Sequence, residues 1–167
     1  MNRENGFTLV ELLVTMVIMV ILITLSVVNL RSSQITARDD QRKADVTNIA
    51  QQLENYYKLG SDNDAAGQYP PTDHLDTEAD IKATLRDVNA DVLRAPNVAS
   101  TDPVSVVIAT DTNPVVPTPT VNTYVYEPIQ SDGTLCQSVG DECRKFNLYY
   151  MLESEPNVVK KVTSKNQ

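Results

Sequence analysis

The sequence contains one histidine and two cysteines among 167 residues, which leaves little material for metal or nucleophilic chemistry. A zinc site needs four ligands, and His74 lies far along the chain from Cys136 and Cys143. His74 also has neither a Ser or Cys partner motif nor a second histidine at ligand spacing. We therefore expect no metal site, no cofactor and no enzymatic activity.

Clusters of basic residues are also scarce. Lys and Arg number 14 against 22 Asp and Glu, which gives a net charge of -8. Attraction to phosphates needs clustered Lys and Arg, so direct nucleic-acid binding is disfavoured, and the acidic surplus favours solubility. We interpret Lys160, Lys161 and Lys165 near the C-terminus as a solvated basic tail.

The sequence contains only part of a calcium-binding loop pattern. Asp62, Asp64, Gly67 and Asp73 occupy positions 1, 3, 6 and 12 of an EF-hand pattern. The pattern fails elsewhere, because Ala66 has no ligating side chain and the last ligand is Asp rather than Glu. We interpret this segment as a solvated acidic loop.

Charge is almost absent from residues 7–30, where Glu11 is the only ionisable side chain. A helix of this length spans about 36 Å, enough to cross a bilayer, and it exceeds the apolar region of a secretory signal. A charged side chain at the centre of such a span costs about 2.5–3.5 kcal/mol. The sequence therefore predicts a membrane-spanning helix in which Glu11 has a function.

The start of this span carries a specific motif. After the polar leader 1–6, the segment from Gly6 to Glu11 reads GFTLVE. It resembles the class III signal of type IV pilins and type II secretion pseudopilins. The resemblance implies cleavage between Gly6 and Phe7 by a prepilin peptidase, N-methylation of Phe7, and filament assembly through Glu11. It also implies a platform protein and an assembly ATPase as partners.

Cleavage would create a positive amine at Phe7. When subunits stagger along a filament, the Glu11 carboxylate of one subunit can meet the amine of its neighbour. Two buried charges then cancel, which favours one axial register. The alternative is a Glu11 side chain that snorkels to the membrane interface.

The motif also predicts the orientation of the membrane span, although a simple count of Lys and Arg predicts the opposite orientation. The basic residues that follow the span, Arg31, Arg38, Arg42 and Lys43, would by number place its C-terminal side in the cytoplasm. We follow the motif and expect the leader in the cytoplasm. The protein would be a single-pass protein of the cytoplasmic membrane before assembly and part of a surface pilus afterwards.

No Gly or Pro interrupts the chain from Phe7 to Leu59, so a helix can continue over residues 7–59, with Gly60 as its C-terminal cap. The second half of this helix carries one apolar stripe at helical spacing, which needs a partner surface. Its members are Val46, Ile49, Leu53 and Tyr56. We expect the first half to form the membrane or filament core and the second half to pack against a head domain.

Two pairs of opposite charge follow the same spacing in the second half of this helix. They are Asp39 with Lys43 and Glu54 with Lys58. Such pairs support exposed helix faces by a few tenths of a kcal/mol each. We therefore expect all four side chains on the surface.

The remaining residues predict a small α+β domain. Thr77 can cap a short helix whose apolar face contains Ile81, Leu85 and Val88. Alternating β-branched and aromatic residues then predict an antiparallel sheet, with residues 113–120 as an extended proline-rich linker. The predicted strands are 104–110, 123–127, 146–152 and 157–163.

Cys136 and Cys143 are separated by six residues that include Gly140. In a membrane-anchored domain that faces an oxidising space, this spacing favours a disulfide bond. The pair also resembles the C-terminal disulfide loop of pilins.

The predicted domain order is a leader (1–6), a transmembrane or filament-core helix (7–30), a helix extension (31–59) and a globular head (60–167). The resemblance implies a type IV pilus subunit that forms a homo-oligomeric helical filament for adhesion, twitching motility or DNA uptake. The alternatives are a minor pilin or a type II secretion pseudopilin. From another class, the alternative is a single-pass membrane-anchored extracytoplasmic binding protein.

Overall fold

The computed structural model describes residues 7–60, 66–138 and 140–166, without the side chains of residues 28 and 29. The chain divides into two compact units, Met1–Ala37 and Arg38–Gln167, which we call the anchor unit and the head unit. Helix α1, Leu9–Leu59, begins in the anchor unit and ends in the head unit.

Helix α1 ends where the sequence predicts. Gly60 has a φ of +69° and its N–H donates to the Tyr56 carbonyl at 2.7 Å. A left-handed residue after the last turn is a common helix stop, and glycine adopts it without a steric penalty. Because no residue from Leu9 to Leu59 breaks the hydrogen-bond ladder, the helix is uninterrupted over 51 residues.

The predicted apolar stripe of α1 forms part of the core of the head unit. Val46, Ile49, Leu53 and Tyr56 are at most 5% exposed. The other side of the core comes from the sheet, whose fully buried residues include Tyr124, Tyr126, Phe146 and Leu148. Each large apolar side chain buried in this way contributes about 1.5–3 kcal/mol, so this layer of helix on sheet holds the head together.

The sheet is mixed rather than wholly antiparallel. The described residues contain the strands β1 (Val106–Ile108), β2 (Asp111–Thr112), β3 (Val115–Val116), β4 (Tyr124–Gln130), β5 (Cys143–Met151) and β6 (Val159–Thr163). Four of them form one sheet in the order β1-β4-β5-β6, in which β4, β5 and β6 pair antiparallel and β1 joins β4 in parallel. The α+β fold class is confirmed.

The parallel pair has a topological reason. Two neighbouring parallel strands need a crossover of about a dozen residues, and the segment between Ile108 and Tyr124 supplies it. That segment contains the hairpin β2–β3, and the predicted linker, 113–120, supplies its turn and β3. The prediction of an antiparallel sheet was therefore wrong at β1.

The short helix α2, Glu78–Thr84, starts at the predicted cap. The Asp80 N–H donates to Thr77 Oγ1 at 3.2 Å, and the Thr77 N–H donates to Asp80 Oδ2 at 3.2 Å. This reciprocal arrangement is a capping box. Ile81 and Leu85 are buried, as the apolar spacing predicts. Two 3₁₀ turns, Thr72–His74 and Ala90–Leu93, flank α2.

The predicted surface pair of Asp39 with Lys43 is wrong, because Asp39 is buried and binds another part of the chain. Its carboxylate accepts hydrogen bonds from the Glu153 N–H at 2.7 Å and from both the N–H and hydroxyl of Ser154. Lys43 instead pairs with Asp40 on the exposed face of α1.

Arg42 lies at the centre of this buried network and is fully buried. Its guanidinium donates to Asp39 at 3.1 Å, to Glu153 at 2.6 Å and to the Val121 carbonyl at 2.7 Å. Arg38 also binds Glu153, and these two arginines lower the pKa of Glu153 to about 2. The network fastens the turn after β5 and the segment before β4 to α1.

Glu54 likewise departs from its predicted pairing with Lys58. The buried carboxylate accepts from the Lys165 N–H at 2.7 Å, from Asn166 Nδ2 at 2.8 Å and from the Tyr69 hydroxyl at 3.1 Å. These bonds hold the segment after β6 against α1. Lys165, which we predicted to lie in a solvated tail, is therefore held to α1 through its backbone N–H.

Replacing Asp45 by Asn is expected to stabilise the head unit at neutral pH. Asp45 is buried, the Tyr124 hydroxyl donates to its carboxylate at 3.1 Å, and burial raises its pKa to about 6. Because the folded state prefers the protonated form, stability falls as pH rises from about 4 to about 6 and stays lower above that. Asn mimics the protonated acid, so we expect a gain of about 1–3 kcal/mol at pH 7.5 and almost none at pH 4.

Urea unfolding of the full chain at both pH values measures this effect. Asp40→Asn is the matched control, since Asp40 is exposed and its pair with Lys43 contributes at most about 1 kcal/mol. A larger loss of stability for Asp45→Asn at pH 7.5 than at pH 4 would contradict the prediction.

Candidate processing and assembly segment

A capping box forms the first turn of α1. The Glu11 N–H donates to Thr8 Oγ1 at 3.2 Å, while the Thr8 N–H and the Thr8 hydroxyl each donate to Glu11 Oε2 at 2.9 Å. This is the reciprocal pattern of a Thr cap with Glu three residues later. The arrangement satisfies two backbone donors that the start of the helix would otherwise leave unpaired.

The capping box gives Glu11 a role within its own chain, and it adds Thr8 to the functional residues. The T-x-x-E pattern of residues 8–11 is a local signal for this box, whereas the sequence prediction placed the Glu11 carboxylate at a neighbouring subunit's amine or at the membrane interface. The box uses atoms of Thr8 and Glu11 alone, so cleavage before Phe7 would leave it intact. A carboxylate can accept about four hydrogen bonds, which leaves capacity for a further donor such as an amine.

Apolar surface surrounds this site. From Phe7 to Leu30, the described large apolar side chains are 46–84% exposed, and Phe7 itself is 84% exposed. By length and composition, α1 is a helix that can cross a membrane. A soluble monomer would not expose such a surface, so this segment needs lipid or other protein around it.

The hydroxyl groups within this apolar segment are paired internally. Thr15 donates to the Leu12 carbonyl, Thr24 to the Val20 carbonyl and Ser26 to the Leu22 carbonyl, all at 2.8–2.9 Å. Polar groups in a hydrocarbon layer must find partners within the protein. These side chains therefore suit a helix that stays in a low-dielectric environment.

Two of the predicted site features fall outside the described residues. They are the leader 1–6 with Gly6, and the Asp62 and Asp64 positions of the calcium-like pattern. Of that pattern, Asp73 lies in the 3₁₀ turn beside His74, with 4.0 Å between Asp73 Oδ1 and His74 Nε2. Among residues 7–60, 66–138 and 140–166, no group of three His, Cys, Asp or Glu residues is placed to hold a metal ion.

Cys136 and Cys143 form a disulfide bond in the head unit, with 5.7 Å between their Cα atoms. Both residues are fully buried. Cys143 begins β5, and the Cys136 N–H donates to the Pro128 carbonyl of β4 at 3.0 Å. Asp141 closes the loop by accepting from the N–H groups of Gln137 and Ser138. The bond therefore joins the segment after β4 to the start of β5, one of the two inner strands of the sheet.

Residues 1–27 match the family model of the prokaryotic N-terminal methylation motif. This motif is the class III signal of type IV pilins and pseudopilins, so the resemblance predicted from GFTLVE is confirmed. The match ends within the first half of α1 and leaves the head unit outside it. No curated protein and no solved structure matches the chain.

Proposed function

We propose that this chain is a structural subunit of a type IV pilus. It would be cleaved after Gly6, methylated at Phe7 and assembled through the first half of α1 into a surface filament. The observation that carries the proposal is the methylation motif over residues 1–27, followed by an exposed apolar helix in which Glu11 is the only ionisable group up to Leu30.

Assembly would move this helix from lipid into a bundle of identical helices. Lipid tails are as apolar as the side chains of α1, so burial of apolar area gives little net gain and packing contacts must drive association. A pair between the Glu11 carboxylate and the Phe7 amine of a neighbour would then select one stagger, because any other leaves two charges unpaired. The capping box holds the Glu11 carboxylate at the start of the helix.

The head unit would face the extracellular space. Its Cys136–Cys143 disulfide suits an oxidising environment, and the buried network of Arg42 helps it to remain folded there. The filament would serve adhesion, twitching motility or DNA uptake. A prepilin peptidase, a platform protein and an assembly ATPase would process and move the subunit.

The motif itself is common to pilins and pseudopilins, so a minor pilin or a type II secretion pseudopilin is the second candidate. A subunit of either kind would carry the same modified N-terminus. The two candidates differ in the fraction of subunits that is found in surface filaments rather than in the membrane.

The test is mass spectrometry of the N-terminal peptide, in sheared surface material and separately in the membrane fraction. We expect a chain that starts at N-methylated Phe7 in the sheared fraction. The same start in the membrane fraction alone would favour the second candidate. An intact leader would overturn both in favour of a membrane-anchored binding protein. Gly6→Val is the control, because the prepilin motif requires Gly before the cleavage site and the variant should retain residues 1–6.

A further inference from the structure

Strand β6 is an outer strand of the four-stranded sheet. The Ser164 N–H donates to the Phe146 carbonyl at 3.0 Å, and hydrogen-bonded pairs alternate along an antiparallel ladder. By this register, Val162 and Lys160 also use their backbone groups to pair with β5. The intervening residues direct their N–H and C=O groups towards the free edge. They are Val159, Lys161 and Thr163.

A groove of about 300 Å³ runs beside this edge, between β6 and the exposed face of α1. Val162 and Thr163 line one side, and Thr47, Ala50 and Gln51 line part of the other. The small side chain of Ala50 leaves room between helix and strand. A strand added to β6 would direct every second side chain into this groove.

The charges around the edge are positive. Lys58 and Lys165 line the groove, Lys161 lies on β6, and all three are exposed. Two carboxylates close to them are already bound, Glu54 to the Lys165 N–H and Asn166, and Glu155 to Lys160. The edge therefore has an excess of positive charge on a head unit that is acidic overall.

We propose that the β6 edge and its groove bind an extended acidic peptide segment of a partner protein as an added strand. Three outward backbone positions supply hydrogen bonds, the groove accepts alternate side chains, and the three lysines select carboxylates. This inference goes beyond filament assembly, since it uses the head unit alone.

A second copy of the same edge is a poorer occupant. Two β6 edges brought together would place Lys161 opposite Lys161, and like charges directly opposite each other destabilise a strand pair. Lysines on an edge commonly prevent such self-pairing. An acidic strand removes that repulsion and uses the same backbone groups.

The test measures binding of (Val-Glu)₄-amide, labelled with fluorescein at its N-terminus, to the full chain in non-ionic detergent micelles by fluorescence anisotropy. We expect saturable binding that weakens as salt is added, and no comparable binding of the (Val-Lys)₄ peptide. A (Val-Glu)₄ peptide methylated on every backbone nitrogen should bind about tenfold more weakly, because it lacks the ladder donors on both edges.

Lys161→Pro is the decisive variant. The Lys161 N–H points to the free edge, so proline removes an edge donor without removing a hydrogen bond to β5. We expect a loss of about tenfold or more in affinity, whereas Lys161→Thr keeps the N–H and should lose only about two- to fivefold. An unchanged urea midpoint shows that each variant is folded.

Three results would overturn the proposal: no saturable binding up to about 1 mM peptide, equal binding of the acidic and basic peptides, or undiminished binding of the methylated peptide. Self-association of the full chain that Lys161→Pro abolishes, measured by sedimentation in the same detergent, would assign the edge to a second copy instead. All of these readouts are independent of leader processing, so they can fail while the pilus proposal stands.

Discussion

Arg42→Ala is expected to lower the free energy of unfolding of the head unit by about 3–5 kcal/mol. The guanidinium is fully buried and binds two carboxylates and a backbone carbonyl. Its removal would leave the buried Asp39 carboxylate without this ion pair and the Val121 carbonyl without this donor. Unfolding in urea, followed by tyrosine fluorescence, measures the loss, since the sequence contains no tryptophan.

Lys43→Ala is the matched control for Arg42. The neighbouring Lys43 carries the same charge on the same helix, but it is exposed and pairs with the exposed Asp40. Its removal should cost at most about 1 kcal/mol. Equal losses for the two variants would show that burial and the shared network do not increase the contribution of Arg42 to the free energy of unfolding.

The features of α1 and α2 that the sequence predicted correctly are those that depend on nearby residues. The helix end at Gly60, the stripe from Val46 to Tyr56 and the cap at Thr77 all arise from side chains within a few positions of one another. Local preferences act in the same way whatever the rest of the chain does. They can therefore be inferred without knowing the tertiary structure.

The partners of Asp39 and Glu54 could not be inferred in that way. Each has a lysine four residues later, which predicted a surface pair, yet each binds residues more than 100 positions away. Asp39 binds the turn after β5, and Glu54 binds the segment after β6. Which distant backbone donors face a helix depends on how the sheet packs against it, and the sequence carries no local signal for that.

The parallel direction of β1 and the Thr8–Glu11 capping box were missed for different reasons. The direction of β1 depends on the path of the chain before β4, which is a tertiary property. The capping box has a local T-x-x-E signal. It was overlooked because a lone acid in an apolar segment directed the interpretation towards a partner outside the chain.

Replacing Glu11 by Ala is expected to leave leader cleavage and membrane insertion largely intact and to reduce the amount of sheared filament by about tenfold or more. The variant removes the carboxylate that would neutralise the Phe7 amine of a neighbouring subunit. An unpaired charge buried in the filament core would then oppose each addition. Quantification of the subunit in sheared and membrane fractions measures the effect, and normal filaments from Glu11→Ala would contradict the charge-pair mechanism.

The capping box provides a second explanation for a loss in Glu11→Ala, and two further variants separate the two roles. Gln at position 11 can still complete the box but has no charge, whereas Thr8→Ala removes the cap and keeps the carboxylate. If the charge pair governs assembly, Glu11→Gln should lose filaments as Glu11→Ala does, and Thr8→Ala should assemble nearly normally, because a lost cap costs only about 1 kcal/mol. If the cap governs assembly, the order of Glu11→Gln and Thr8→Ala reverses.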